Sequence, residues 1–220
     1  MKSDMGPSVN RRDCILGCLT ALISFAAGLT PAQAAPPTLL VLGDSLSAEY
    51  GLAKGSGWVA LLEQRLAQEK RAMKVVNASI SGDTTSGGLV RLPALLKQHA
   101  PTIVVIELGA NDALRGLPLD MTRENLRAMV RLARTAKAQV LLLGMQVPPN
   151  YGPDYGQQFA ASFVTVAKEQ KVALVPFFLK DVADVPNAAD FFQSDRIHPT
   201  AVAHPILLNN VWPALKRLLP

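Results

Sequence analysis

The amino-acid sequence predicts an α/β fold in three layers, in which helices cover both faces of an open, parallel, five-stranded sheet. Short apolar runs alternate with longer stretches whose apolar residues recur at helical spacing. We interpret segment 103–108 as an apolar run. Such a run predicts a strand that is buried on both faces, as strands of parallel sheets are. No repeat, low-complexity segment or linker indicates a second domain.

The five predicted strands are short segments rich in β-branched and other apolar residues. In chain order they span 38–42, 74–78, 103–108, 140–143 and 172–175. A helix follows each strand, and right-handed crossovers between parallel strands divide such helices between the two faces of the sheet.

The helices are predicted from apolar residues three and four positions apart. These residues are Trp58, Leu61, Leu62 and Leu66 in the first helix, Leu89, Leu92, Leu95 and Leu96 in the second, Leu126, Met129, Val130 and Ala133 in the third, and Phe159, Phe163, Val166 and Ala167 in the fourth. Ser56 and Thr122 are the predicted N-caps of the first and third helices. A last helix begins at about Thr200, and we expect Pro213 to kink or split it.

Residues 1–34 have the pattern of a secretory signal peptide. Basic residues precede an apolar run at 15–29, and a small-residue site at 31–34 follows it. We expect cleavage between Ala34 and Ala35, which leaves a single domain at 35–220 and a periplasmic or secreted protein. The alternative is an uncleaved membrane anchor, but the apolar run is shorter than the about 20 residues that a membrane span needs.

The composition of the remaining chain excludes several classes of site. Both cysteines, Cys14 and Cys18, lie in the predicted leader, so no disulfide or cysteine metal site is expected after cleavage. Without the leader the formal charge of +5 falls to about +4 and is spread along the chain, which gives nucleic-acid binding little support. The three histidines have no metal-ligand spacing, and glycines 51–57 match no nucleotide-binding motif. We therefore expect no metal or cofactor, and a monomer that binds a small molecule without membrane insertion.

Polar residues follow the strands of the predicted sheet. The sequences Gly-Asp-Ser at 43–45, Ser-Gly-Asp at 81–83 and Gly-Ala-Asn-Asp at 109–112 follow the first three strands, and Asp195 and His198 follow the fifth. The carboxyl ends of parallel strands share one edge, so these segments should converge. A serine, a histidine and a carboxylate are the groups of a nucleophilic hydrolase. Loop preference explains each segment alone, but their joint placement makes that explanation much weaker.

With these blocks in order, the chain resembles the GDSL, or SGNH, hydrolase family over nearly its whole mature length. The matching blocks span 43–47, 81–84, 109–112 and 195–199. Segments 76–84 and 91–96 are similar to the periplasmic bacterial acyl-CoA thioesterases, lysophospholipases and arylesterases of that family. The resemblance implies a flavodoxin-like strand order of 2-1-3-4-5. No Gly-x-Ser-x-Gly elbow is present, so an ordinary α/β-hydrolase is excluded.

The resemblance implies a role for each site residue. Ser45 is the expected nucleophile, His198 the general base and then acid, and Asp195 the residue that orients His198. The N–H groups of Ser45 and Gly82 and the side-chain amide of Asn111 form the expected oxyanion hole. This predicts a serine esterase that hydrolyses acyl esters and thioesters through an acyl-enzyme. The alternatives are a carbohydrate O-deacetylase of the same family and a non-catalytic lipid- or glycan-binding module.

Other polar residues near the motifs have simpler interpretations. We expect Asp44 and Asp112 to be hydrogen-bond acceptors that hold their loops, and His99 and His204 to be helix residues without a serine partner. Glu49 and Arg196 could alter the charge at the pocket mouth. The loop at 147–153 could line an acyl groove or be a rigid structural loop.

Overall fold

The computed structural model of the protein describes Met1 and residues 36–220. The predicted leader and its cleavage site after Ala34 lie outside the described residues. Five strands form one sheet: β1 (Thr38–Gly43), β2 (Lys74–Asn77), β3 (Ile103–Glu107), β4 (Gln139–Leu143) and β5 (Ala173–Val175). All neighbouring strands are parallel and their order is β2-β1-β3-β4-β5. The predicted sheet and strand order are therefore confirmed.

The strands are joined by α-helices, which pack in two groups. The helices are α1 (Trp58–Gln68), α2 (Thr85–His99), α3 (Ala110–Leu114), α4 (Leu119–Thr135), α5 (Pro153–Gln170) and α6 (His204–Lys216). Helix α1 packs against α6, whereas α4 packs between α2 and α5. The two groups cover the two faces of the sheet, and the central strands are accordingly buried almost throughout. The short helix α3 has too few residues to show a periodic pattern, and the sequence did not predict it.

Both predicted N-caps are wrong. The N-cap of α1 is Gly57, because the Ser56 hydroxyl donates to the carbonyl oxygen of Ala53 instead. Helix α4 begins three residues before Thr122, which is buried within the helix and donates to Asp112 Oδ1 at 3.2 Å. In each case the hydroxyl donates to an oxygen acceptor and does not accept a backbone N–H of the helix end. Local propensity could not reveal that acceptor.

The last helix also differs from its prediction. It begins at His204, after a 3₁₀ turn at Ala201–Ala203, rather than at Thr200. It continues through Pro213 to Lys216 without being split. Proline removes one helical hydrogen bond. The apolar face of α6 is buried in the core, and this packing stabilises the helix despite that loss.

Segment 103–108 is not apolar throughout. Its central residues are buried as expected, but the strand ends with Glu107, whose carboxyl group is also buried. Glu107 lies beside Gly43 at the carboxyl end of β1, so the segment places an acidic side chain at the edge that carries the motif residues. None of the helices in the described residues is long and apolar enough to span a membrane.

Candidate active site

Residues from distant parts of the chain meet at the carboxyl edge of the sheet. Ser45 lies in the turn after β1, and Asp195 and His198 lie in the long connection after β5. His198 Nε2 is 2.9 Å from Ser45 Oγ, and His198 Nδ1 is 2.7 Å from Asp195 Oδ2. The structure thus brings together the hydroxyl, imidazole and carboxylate that the motifs predicted, in one continuous chain of hydrogen bonds.

The Asp195 carboxylate is held mainly by its own short segment. Its Oδ1 accepts the backbone N–H groups of Ile197 at 2.9 Å and His198 at 3.0 Å. Arg196 adopts a left-handed conformation with φ of 58°, which lets the chain fold back over the carboxylate. These backbone hydrogen bonds, followed by the bond to the His198 ring, lower the pKa of Asp195 to about 2. The carboxylate is therefore ionised at neutral pH.

Tyr50 contacts the imidazole and was not predicted from the sequence. Its ring centroid lies 4.3 Å from that of His198. Gln193 links the two segments, since its side-chain amide donates to the Tyr50 carbonyl at 2.9 Å and its backbone N–H donates to the His198 carbonyl at 2.8 Å. The only sequence signal for Tyr50 is that it follows Ser45 by five residues.

The three predicted oxyanion donors differ in whether their N–H groups already have protein acceptors. Within residues 36–220, the backbone N–H groups of Ser45 and Gly82 donate to no protein acceptor. The Asn111 amide nitrogen, in contrast, lies 3.0 Å from Asp44 Oδ2 and 3.0 Å from the carbonyl oxygen of Asp83. A side-chain amide has two N–H bonds, so both Asn111 donors already have acceptors. Asn111 bridges the turn after β1 and the loop after β2.

Asp44 and Asp112 are buried hydrogen-bond acceptors, as predicted. Asp44 accepts the Leu46 N–H at 3.0 Å in addition to the Asn111 amide. Burial raises the pKa of Asp44 to about 6, while the Leu46 N–H and the charge of His198 act in the opposite direction. Asp112 accepts the backbone N–H of Thr85 at 2.9 Å and also the Thr85 hydroxyl. Both carboxylates therefore hold the loops around the serine.

An apolar cavity of about 190 Å³ opens beside Ser45 and His198. Its apolar lining comes from the turn after β1, helix α3, the segment after β4 and the loop before His198. These residues are Leu46, Ala110, Leu114, Met145, Val147, Leu179 and Ile197. Val147 belongs to the loop at 147–153, for which the sequence allowed either an acyl groove or a rigid structural loop. Part of that loop therefore lines the cavity. The loop continues into a 3₁₀ turn at Pro149–Tyr151.

The remaining candidate residues lie outside this cavity. The Glu49 carboxylate accepts the Gly57 N–H at 2.7 Å and the Gly55 N–H at 3.0 Å, so it closes its own loop. His99 ends α2, and His204 begins α6 and accepts the Trp58 N–H at 2.9 Å. In the part of the chain that the structure describes, no group of three or more His, Cys, Asp or Glu side chains could hold a metal ion.

Comparison with known proteins identifies the family. The GDSL-like Lipase/Acylhydrolase family matches residues 41–206, which include every candidate site residue. The chain belongs to this GDSL-like family. The match begins within β1 and ends within α6, so it covers all of the sheet except the first three residues of β1.

Individual relatives of this GDSL-like protein are similar over nearly their full lengths. Esterase TesA from Pseudomonas aeruginosa is 54% identical over 92% of this chain and 96% of its own. Thioesterase 1/protease 1/lysophospholipase L1 from Escherichia coli strain K12 is 45% identical over 89% of this chain and 90% of its own. A crystal structure of TesA superimposes with a TM-score of 0.80 at 55% identity, covering 83% of this chain and 99% of that chain.

Proposed function

We propose that this protein is a serine esterase that hydrolyses acyl esters and thioesters through an acyl-enzyme on Ser45. The observation that carries the proposal is the pair of short contacts that His198 makes, at 2.9 Å to Ser45 Oγ and 2.7 Å to Asp195 Oδ2. With Asp195 ionised, the Nδ1 nitrogen carries its proton toward the carboxylate. The Nε2 nitrogen is then the acceptor that faces the serine hydroxyl.

The first half of the reaction forms the acyl-enzyme. His198 Nε2 removes the proton of Ser45 as the hydroxyl oxygen attacks the substrate carbonyl carbon. The resulting oxyanion accepts hydrogen bonds from the N–H groups of Ser45 and Gly82. His198 then transfers the proton to the alcohol or thiol as its bond to the acyl carbon breaks. Asp195 stabilises the imidazolium that forms between these two transfers.

The second half regenerates the enzyme. A water molecule gives one proton to His198 Nε2 while its oxygen attacks the acyl carbon. The tetrahedral intermediate collapses to a carboxylic acid, and the Ser45 oxygen recovers the proton from His198. No group outside the chain is needed to balance either half.

Asn111 is the third oxyanion donor in this proposal. Because both of its N–H bonds have protein acceptors, one contact must be exchanged, or shared, when the oxyanion forms. The carbonyl oxygen of Asp83 is the weaker competitor, since it is uncharged while the oxyanion carries developing charge. Loss of one such donor commonly costs about 2.7–4 kcal/mol of transition-state stabilisation.

The cavity supports an acyl chain as the recognised part of the substrate. Its lining beside Ser45 is mainly aliphatic, which suits an apolar acyl group better than a hydroxyl-rich sugar. The names of the relatives, an esterase and a thioesterase/lysophospholipase, agree with that class. We further propose that residues 1–34 are removed on export and that residues 35–220 act as a monomeric domain, in the periplasm or outside the cell, on small-molecule esters.

The proposal is tested with p-nitrophenyl esters of increasing acyl length, together with an acyl-CoA and an acetylated sugar. We expect turnover of the aryl esters and the thioester, and loss of nearly all of it in Ser45→Ala. The matched control is Ser194→Ala, which removes an exposed serine beside Asp195. A serine-directed phosphonate should add one mass increment to the Ser45 peptide and stop turnover. Full activity in Ser45→Ala would refute the proposal, and preference for the sugar would favour the deacetylase.

A further inference from the structure

Two carboxyl groups are buried next to the turn that carries Ser45. Asp44 directly follows β1 and Glu107 ends β3, and each residue is only 1% exposed. Gly43 pairs with Glu107 in the sheet. A Cβ atom at position 43 would lie 2.9 Å from Glu107 Oε2, so glycine leaves the space that the Glu107 carboxyl occupies. The serine turn is therefore built around a second acid that the proposed reaction does not use.

One oxygen of Glu107 accepts two hydrogen bonds. Glu107 Oε2 lies 2.7 Å from Ser47 Oγ and 3.3 Å from the backbone nitrogen of Asp44. The indole nitrogen of Trp58 donates to Ser47 Oγ at 3.0 Å. An indole N–H can only donate, so the Ser47 hydroxyl hydrogen is directed to Glu107. If Glu107 carries a proton, that proton belongs on its other oxygen.

Asp44 receives donors on both of its oxygens. Oδ1 accepts the Leu46 N–H and Oδ2 accepts the Asn111 amide, each at 3.0 Å. Donors of this kind favour the ionised form of a carboxylate. The two carboxyl groups act directly on one another, since Asp44 raises the pKa of Glu107 and Glu107 lowers that of Asp44. A hydrogen bond between two carboxyl groups requires one proton, and the donors around Asp44 place it on Glu107.

The electrostatic surroundings lead to the same order of protonation. Burial raises the pKa of Glu107 well above its usual range, and the negative charge of Asp44 raises it further. Among the described residues, the charge of His198 also acts on Asp44 and lowers its pKa. Among the described residues, neither buried carboxyl group forms an ion pair with a lysine or arginine. Two buried negative charges without a compensating cation are disfavoured, so one proton is retained.

We propose that Glu107 is a positioning residue for the oxyanion site, which it serves by donating a hydrogen bond to Asp44. Asp44 then remains the ionised acceptor that holds the Asn111 amide and the Leu46 N–H, which follows the nucleophile directly. The inference rests on the proposed function, because Asn111 matters here as a donor to the oxyanion. It also explains why a buried acid ends a strand that is otherwise apolar.

Two substitutions test whether Glu107 acts as a proton donor, rather than as a charged group or as a side chain that only fills space. Glu107→Gln retains one oxygen to accept from Ser47 and supplies an N–H to Asp44. Glu107→Leu fills similar space but supplies neither. For Glu107→Gln we expect kcat within about threefold of the wild-type value. For Glu107→Leu we expect kcat to fall by about 10- to 100-fold with little change in KM, because the lost support is realised in the transition state.

Infrared spectroscopy of the full mature chain tests the proton itself. The C=O stretching band of a neutral carboxylic acid should be present in the wild-type protein at pH 7 and absent in Glu107→Gln. This comparison stands even if Glu107→Leu fails to fold. The inference is overturned if Glu107→Gln is as slow as a folded Glu107→Leu, if Glu107→Leu is as fast as wild type, or if the band is unchanged in Glu107→Gln. Wild-type protein without esterase activity would instead refute the proposed function, and the band would still report the proton.

Discussion

Replacing Asp195 by Asn tests how the imidazole is held in its working tautomer. The structure gives Asp195 three acceptor contacts: two backbone N–H groups on Oδ1 and His198 Nδ1 on Oδ2. An asparagine can keep two of them by turning its oxygen toward the backbone, or one by turning it toward the ring. In the second orientation its NH₂ group would also face two backbone donors. Two contacts outweigh one, so the NH₂ group should face the ring.

That orientation reverses the roles of the ring nitrogens. With an N–H group facing it, His198 Nδ1 must accept, and the ring proton moves to Nε2, where it points at Ser45 Oγ. His198 then lacks the acceptor that removes the serine proton. In a serine–histidine–aspartate triad such an inversion costs about 10⁴ in kcat, and we expect a loss of about 10³–10⁴ in this protein.

Asp195→Ala provides the comparison, because it removes all three contacts without presenting a donor to the ring. The side chains of His198 and Asp195 are 17% and 36% exposed, so water can reach Nδ1 once the carboxylate is gone. We expect the kcat of Asp195→Ala to be higher than that of Asp195→Asn. It should also be about 10- to 100-fold higher than the kcat of His198→Ala.

The assay is steady-state hydrolysis of a short-chain aryl ester by the wild type and the three variants, after thermal unfolding has established that each is folded. The low-field proton resonance of His198 Nδ1 should be present in the wild type and absent in Asp195→Asn. An Asp195→Asn variant that turns over faster than Asp195→Ala would refute the tautomer argument. So would a low-field resonance that persists in Asp195→Asn.

Three further predictions concern the oxyanion site, a buried histidine and the N-terminus. Asn111→Ala should lower kcat by about 10²–10³ with little change in KM, and a rise in KM alone would make Asn111 a substrate-binding group instead. Burial lowers the pKa of His204 below 6.5, so its contribution to stability is present above pH 6.5 and is lost as the pH falls through the folded-state pKa. The difference in Tm between wild type and His204→Phe should therefore shrink from pH 8 to pH 5, and a constant difference would contradict this. Exported protein should begin at about Ala35 by N-terminal sequencing, and a full-length chain recovered from the membrane fraction would contradict a cleaved leader.

Much of the architecture follows from patterns that are local in the chain. Apolar runs such as 38–42 and 140–143 predicted strands whose ends the structure places within one residue of the expected positions. Parallel strands share an edge, so the serine after β1 and the Asp195–His198 segment after β5 could be expected to meet. The Asp195 contacts to its own backbone are likewise local, because they depend on the four consecutive positions 195–198, of which Arg196 is left-handed.

Contacts between distant segments were decided only by the tertiary structure. The interpretation of segment 103–108 as an apolar run gave Glu107 no role, and the role that we propose depends on Asp44 and Ser47, which are about 60 residues away in the chain. Likewise, Tyr50 lies on His198 because Gln193 ties their backbones together. A buried polar group must find its partner wherever the folded chain supplies one. The sequence by itself therefore indicated which residues carry the proposed chemistry, whereas packing determined which side chains hold them in position.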